Sequence, residues 1–167
     1  MTGSGMQQSR IALWTWLTWG VDLGKVLFTM FISPYEKVGG LVWFARMLRK
    51  IRLRAEGRLP EEYHGYMGLG FDRRCLRFLR IDYEALVARV IAGGSDEEIL
   101  EWAFTHGHRP SEVEILVWNE YMIKRGWRDT DAPANEFPDY KEKYGLGHRS
   151  DILTFFDFYE VDEGRRP

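Results

Sequence analysis

Polar residues break the apolar run from Ile11 to Ile32 at Thr15, Thr18, Asp22, Lys25 and Thr29, in steps of three, four, three and four. That spacing predicts a helix polar along one line, with Trp14, Trp16, Trp19, Leu23, Val26, Phe28 and Phe31 covering the rest of its circumference. After Pro34 and Gly39-Gly40, the apolar residues Leu41, Phe44, Leu48, Ile51 and Ala55 predict one long helix from Leu41 to a Gly57 stop, with a basic opposite face. Residues 59–70, with Pro60 and three glycines, read as a loop, and Phe71, Cys75, Phe78 and Leu79 outline a short helix. Asp82 caps the next, which buries Leu86, Val87, Val90 and Ile91 and ends at Gly93-Gly94.

Ser95 with Glu98, and Ser111 with Glu114, are capping boxes in which the hydroxyl accepts the N3 amide and the carboxylate accepts the cap amide. The first opens a helix buried through Ile99, Trp102 and Ala103 and stopped near Gly107; the second is buried through Ile115, Trp118 and Met122 and stops at Gly126. Pro138 starts a short helix bearing Tyr140 and Tyr144, and Ser150 caps a last one with Ile152, Phe155, Phe156 and Tyr159 inward. No stretch sustains a period of two, and no Asn-Gly hairpin signal occurs. The expected fold is all-α: a single compact domain of about six to eight helices over residues 33–167, with an additional amphipathic N-terminal helix in residues 1–32.

The N-terminal segment has three readings: packing on the domain or a partner, a membrane span, or interfacial binding. It is long enough to span, and Gly20 and Gly24 supply a G-x-x-x-G spacing. Asp22 and Lys25 weigh against a span, each costing roughly 3 kcal/mol at the bilayer centre. The polar line is too poor in Lys and Arg for interfacial binding. Packing on protein is the expectation, with membrane association as an alternative.

The chain has 167 residues, ample for a core without disulfides or metal. Its single thiol, Cys75, excludes an intrachain disulfide and a Cys-based zinc site, and fits a reducing, cytoplasmic setting. Net charge is −2, but residues 46–80 hold ten basic side chains against four acids, and residues 82–163 hold nineteen acids against eight basic side chains. The basic stretch suits an anionic ligand, or the acid-rich C-terminal end of the same fold. With a pI near 6.1, nucleic acid is not the expected partner.

Candidate chemistry is sparse. Tyr63, His64 and Tyr66 lie in the glycine-bounded loop, where His64 is a candidate general base, with Asp157 near the C-terminus as the candidate acid. Arg46 and Lys50 are candidates for binding an anion, together with Tyr63 and His64. Trp118 and Asn119 offer a stacking surface and an orienting amide. His106 and His108 make an H-x-H pair, but two ligands do not complete a zinc site, so no metal is expected. There is no Walker loop, G-x-G-x-x-G, H-E-x-x-H or G-x-S-x-G, and no cofactor is expected.

The segments SPYEKVGGLVWFARMLRKIRLRAEGRLPEEYHG, FDRRCLRFLRIDYEALVARVIAGGSDEEILEW, EILVWNEYMIKRGWRD and DILTFFDFYEVDEGRRP, taken together, resemble a bacterial family of domains of unknown function, DUF5069, over about residues 33–167. The resemblance rests on S-P-x-E-x-x-G-G, the Trp118-Asn119 pair and the closing D-E-G-R. It implies no activity, cofactor or catalytic set. The family often places an acid before the lysine of the first domain helix; here Arg49 precedes Lys50, so an acid–base pair at that position lacks its acid. The resulting expectation is a binding or accessory protein for a protein partner or an anionic small molecule, with a homodimer open. The alternatives are an enzyme using general acid/base chemistry on an anionic metabolite and a membrane-associated protein.

Overall fold

The computed structural model describes residues 30–130 and 136–167, which form eight helices and a two-stranded ribbon. The helix expected over residues 11–32 falls, up to residue 29, outside the described residues. No described helix is long and apolar enough to cross a membrane. The chain divides into two compact units, and those described residues fall in Phe28–Ile123 and Lys124–Pro167.

The first unit departs from the sequence reading at its start. Lys37–Val38 (β1) and Leu41–Val42 (β2) pair antiparallel, Lys37 with Val42 and Val38 with Leu41. Gly39 and Gly40 have φ of +55° and +84°, and a two-residue hairpin that follows the right-handed strand twist needs positive φ at both central positions. The predicted helix therefore begins at Phe44 and not at Leu41, as α1 (Phe44–Ala55). Its Phe44, Met47, Leu48 and Ile51 are in the core, and so are Arg46 and Lys50 on the face read as basic. At its end Gly57, at φ +67°, forms a Schellman cap, with Arg58 N–H donating to Leu53 O at 2.8 Å and Gly57 N–H to Arg54 O at 3.1 Å.

The expected loop contains one helical turn, α2 (Glu61–His64), before α3 (Phe71–Leu79). Asp82 caps α4 (Tyr83–Ile91) by accepting from Ala85 N–H at 3.0 Å. Both predicted capping boxes form. Ser95 and Glu98 open α5 (Asp96–His106), and Ser111 and Glu114 open α6 (Glu112–Ile123).

The second unit carries α7 (Phe137–Lys143), with Pro138 in its first turn, and α8 (Phe155–Asp162). The cap of α8 is Thr154, boxed with Asp157, and not Ser150; Ile152 is buried ahead of the helix, packed with Phe137 and Phe158. The D-E-G-R motif is the C-cap of α8: Gly164 at φ +74° lets Arg165 N–H reach Glu160 O at 2.8 Å and Gly164 N–H reach Val161 O at 3.0 Å.

Candidate functional site

Trp43 joins β2 to α1 at φ +74°, a region that costs a bulky residue roughly 1–3 kcal/mol. Its N–H donates to Pro34 O at 3.2 Å, which folds the Ser33-Pro34 turn onto the helix start. This conformation lets the indole N–H donate to Asp72 Oδ1 at 2.8 Å. Asp72, 1% exposed on α3, also accepts Lys50 Nζ at 2.7 Å on both oxygens and Gly68 N–H at 3.2 Å. One buried carboxylate thus ties together the hairpin, α1, the α2–α3 loop and α3.

Cations and rings extend from this pair. Lys50 Nζ and the Arg46 guanidinium lie 5.3 Å and 5.5 Å from the Trp43 ring, and Arg46 lies 5.0 Å from Phe31. Arg46 Nη1 donates to Ile32 O at 2.8 Å. Phe31 packs on Tyr63 with centroids 4.7 Å apart, so Arg46, Lys50 and Tyr63 belong to one column of side chains. His64, beside Tyr63, has Nε2 2.8 Å from Leu59 O; a carbonyl only accepts, so that nitrogen carries the hydrogen. Burial pushes the Cys75 thiol up, with the Asp72 charge adding to it and the Lys50 charge opposing it. Burial, then Asp72, pushes the Tyr83 hydroxyl up to about 12.

Sequence reading missed Asp72 and Trp43. The acid wanting at position 49 comes instead from α3. The signal was its register: Asp72, Cys75, Leu76 and Leu79 fall at i, i+3, i+4 and i+7, the inward stripe of a helix, and all four are buried.

Trp118 and Asn119 sit on the other side of the hairpin and hold it. Asn119 Oδ1 accepts Val42 N–H at 3.1 Å and its Nδ2 donates to Gly40 O at 2.8 Å, while Trp118 Nε1 reaches Val42 O at 3.4 Å. The amide expected to orient a ligand is occupied by backbone. His106 bonds Trp102 O through Nδ1, and His108 bonds Glu114 through Nε2. Among the described residues no three His, Cys, Asp or Glu gather as metal ligands. In the second unit, Asp157 Oδ2 accepts Leu153 N–H, Thr154 N–H and Thr154 Oγ1, and Oδ1 accepts Arg166 Nη1 at 3.0 Å. This carboxylate is the N3 acid of a capping box.

The polar groups of these candidates hold structure; the outward surface of α3 and α6 has a different character. Helix α6 buries Trp118, Asn119 and Met122, yet exposes Val113, Leu116, Val117 and Tyr121 at 68%, 60%, 62% and 42%. A helix apolar on both faces is expected where both are covered. Beside it a groove of about 330 Å³ runs between α3 and α6, lined by Arg74, Arg77, Phe78, Val117, Trp118 and Tyr121. Phe78 stacks on Trp118 at 4.6 Å to form its floor, and Arg74 Nε donates to Tyr121 Oη at 3.0 Å across it. Two helices and a stacked aromatic pair therefore hold its lining in place.

The family described as Domain of unknown function (DUF5069) has a model that matches residues 29–165, both units included. Among curated proteins none matches the chain.

Proposed function

The chain belongs to the DUF5069 family, and from that premise we propose that it is a binding or accessory protein whose working surface is the outer face of α3 and α6, taking a protein partner. The observation that carries this reading is the exposed apolar row of Val113, Leu116 and Val117 next to the arginine-lined groove. Clustered apolar side chains of this kind mark interaction sites, and buried aromatic and Arg anchors carry most of the energy of protein interfaces. The polar groups that an acid/base enzyme would draw on have other work: Lys50 holds Asp72, His64 holds Leu59 O, and Asp157 caps α8. A cytoplasmic setting, expected from the single thiol, goes with this reading.

The test is site-specific photo-crosslinking in cells, with the reactive side chain at Val117 and a control at Ile91, which is 63% exposed on α4. One adduct from Val117, absent from Ile91 and lost in a Leu116→Glu background, is the expected result. No adduct, or the same adducts from both positions, refutes the reading.

A further inference from the structure

Arg73 and Arg77 stand one turn apart on the exposed side of α3, and Arg80 is exposed at its C-cap. None of the three makes an ion pair among the described residues. The one acid of α3, Asp72, points inward to Lys50. The helix thus presents a basic edge, with Arg74 and Arg77 forming the rim of a groove whose floor is the Phe78–Trp118 stack. Across the groove stand Val117 and Tyr121 of α6, with Val113 one turn before Val117. A cationic edge beside an apolar trough matches a segment with an apolar stripe flanked by carboxylates.

Resting on the reading above, we infer that the partner contributes an acidic amphipathic helix, which lays its apolar stripe in the α3–α6 groove and sets carboxylates at i and i+4 against Arg73 and Arg77. Those arginines are four residues, about 6 Å, apart along α3, the same rise that separates i and i+4 of a docked helix. Arginine pairs carboxylates through a bidentate fork, so the edge selects the charge and register of what binds. A groove this small and open takes side chains of a docked segment better than an enclosed metabolite. Nucleic acid fits less well, because phosphates have no use for Val113, Leu116 and Val117. An anionic membrane fits less well because a flat lipid surface does not fill a groove between two helices, and the glutamates exposed on α6 place the partner's carboxylates on the α3 side.

The experiment is fluorescence anisotropy on the full chain with two designed helical peptides of ~20 residues, alike in their leucine stripe and flanked by Glu in one and Lys in the other. An oligonucleotide and anionic phospholipid vesicles serve as further probes. The Glu peptide should bind about tenfold or more tighter than the Lys peptide. Arg73→Glu/Arg77→Glu should reverse that order, and Val117→Asp should abolish binding of both, with unchanged melting curves in each variant. Equal binding of the two peptides, no reversal, no peptide binding up to ~1 mM, or binding only of oligonucleotide or vesicles overturns the inference. Should the Val117 crosslink in cells capture a basic or non-helical segment, the inference fails while the surface reading stands; should it capture nothing, the surface reading fails first.

Discussion

Replacing Lys50 by methionine keeps most of the side-chain volume and removes the charge opposite Asp72. The carboxylate would stay at 1% exposure with two neutral donors, the Trp43 indole and the Gly68 amide. Breaking a buried pair costs about 3–5 kcal/mol, because the remaining charge loses its counterion without regaining water. With two donors kept, the lower end applies, about 3 kcal/mol, a large share of the roughly 5–15 kcal/mol that holds a domain together. For a chain of this length that is a drop in Tm of roughly 6–12 °C. Asp72→Leu alone takes the carboxylate away from the ammonium and from two neutral donors and should cost at least as much. The double variant loses both charges together and should be better than the sum of the singles by about 2–3 kcal/mol. Thermal and urea unfolding followed by circular dichroism measures all three. Singles that add to the double within about 0.5 kcal/mol would show that Lys50 and Asp72 do not act as a unit, and the account of the core would be wrong.

Asn119→Ala leaves the buried Val42 N–H without its partner and releases the exposed Gly40 O to water, and should cost roughly 1–3 kcal/mol in urea unfolding; a loss under about 0.5 kcal/mol would show that the amide does not hold the hairpin. Glu114 is lowered from 4.5 to about 2, chiefly by the Ser111 backbone amide and hydroxyl, with His108 adding to this. Its folded value lies below the unfolded one, so its contribution to stability is whole above about 4.5 and is lost as pH falls through about 2. Carboxyl NMR titration reads this directly, and Ser111→Ala should move the midpoint back toward 4.5; an unmoved midpoint refutes the assignment. Cys75, fully buried and with its thiol pushed up, should react with a disulfide reagent only as fast as the native state opens, and stabilising additives should slow the reaction in proportion. Rapid labelling of the native protein would contradict its burial.

What was legible in the sequence was local. Asp82, the Ser95–Glu98 box and the Ser111–Glu114 box each join a side chain to an amide three residues away, so the residues that make the contact can be read side by side. The same rule separates Thr154 from Ser150: an acid follows Thr154 by three residues, whereas Leu153 stands at that distance from Ser150. The hairpin escaped because strands of two residues carry no alternation to detect, and its only trace is the Gly39-Gly40 pair. The pairing of Lys50 with Asp72 spans 22 residues, and nothing local specifies it. The same holds for the Asn119 grip on a hairpin 77 residues earlier.

These long-range contacts explain how Trp43 keeps a backbone conformation that its side chain opposes. Strain of this kind persists only where the surroundings over-determine it. Here the N–H is fixed by Pro34 O, the indole N–H by Asp72, one ring face by Phe71 with centroids 4.7 Å apart, and the preceding strand by Asn119. A glycine would take the same φ without strain, but it would release the indole from the carboxylate that gathers Lys50 and Gly68. The large side chain at this junction therefore links two parts of the first unit. Trp43 connects the hairpin held by α6 to the carboxylate presented by α3, and these are the two helices whose outer faces frame the groove. The buried charges fix the two helices to a common core from behind, so that their exposed side chains stand in a set geometry, which is what the proposed surface requires.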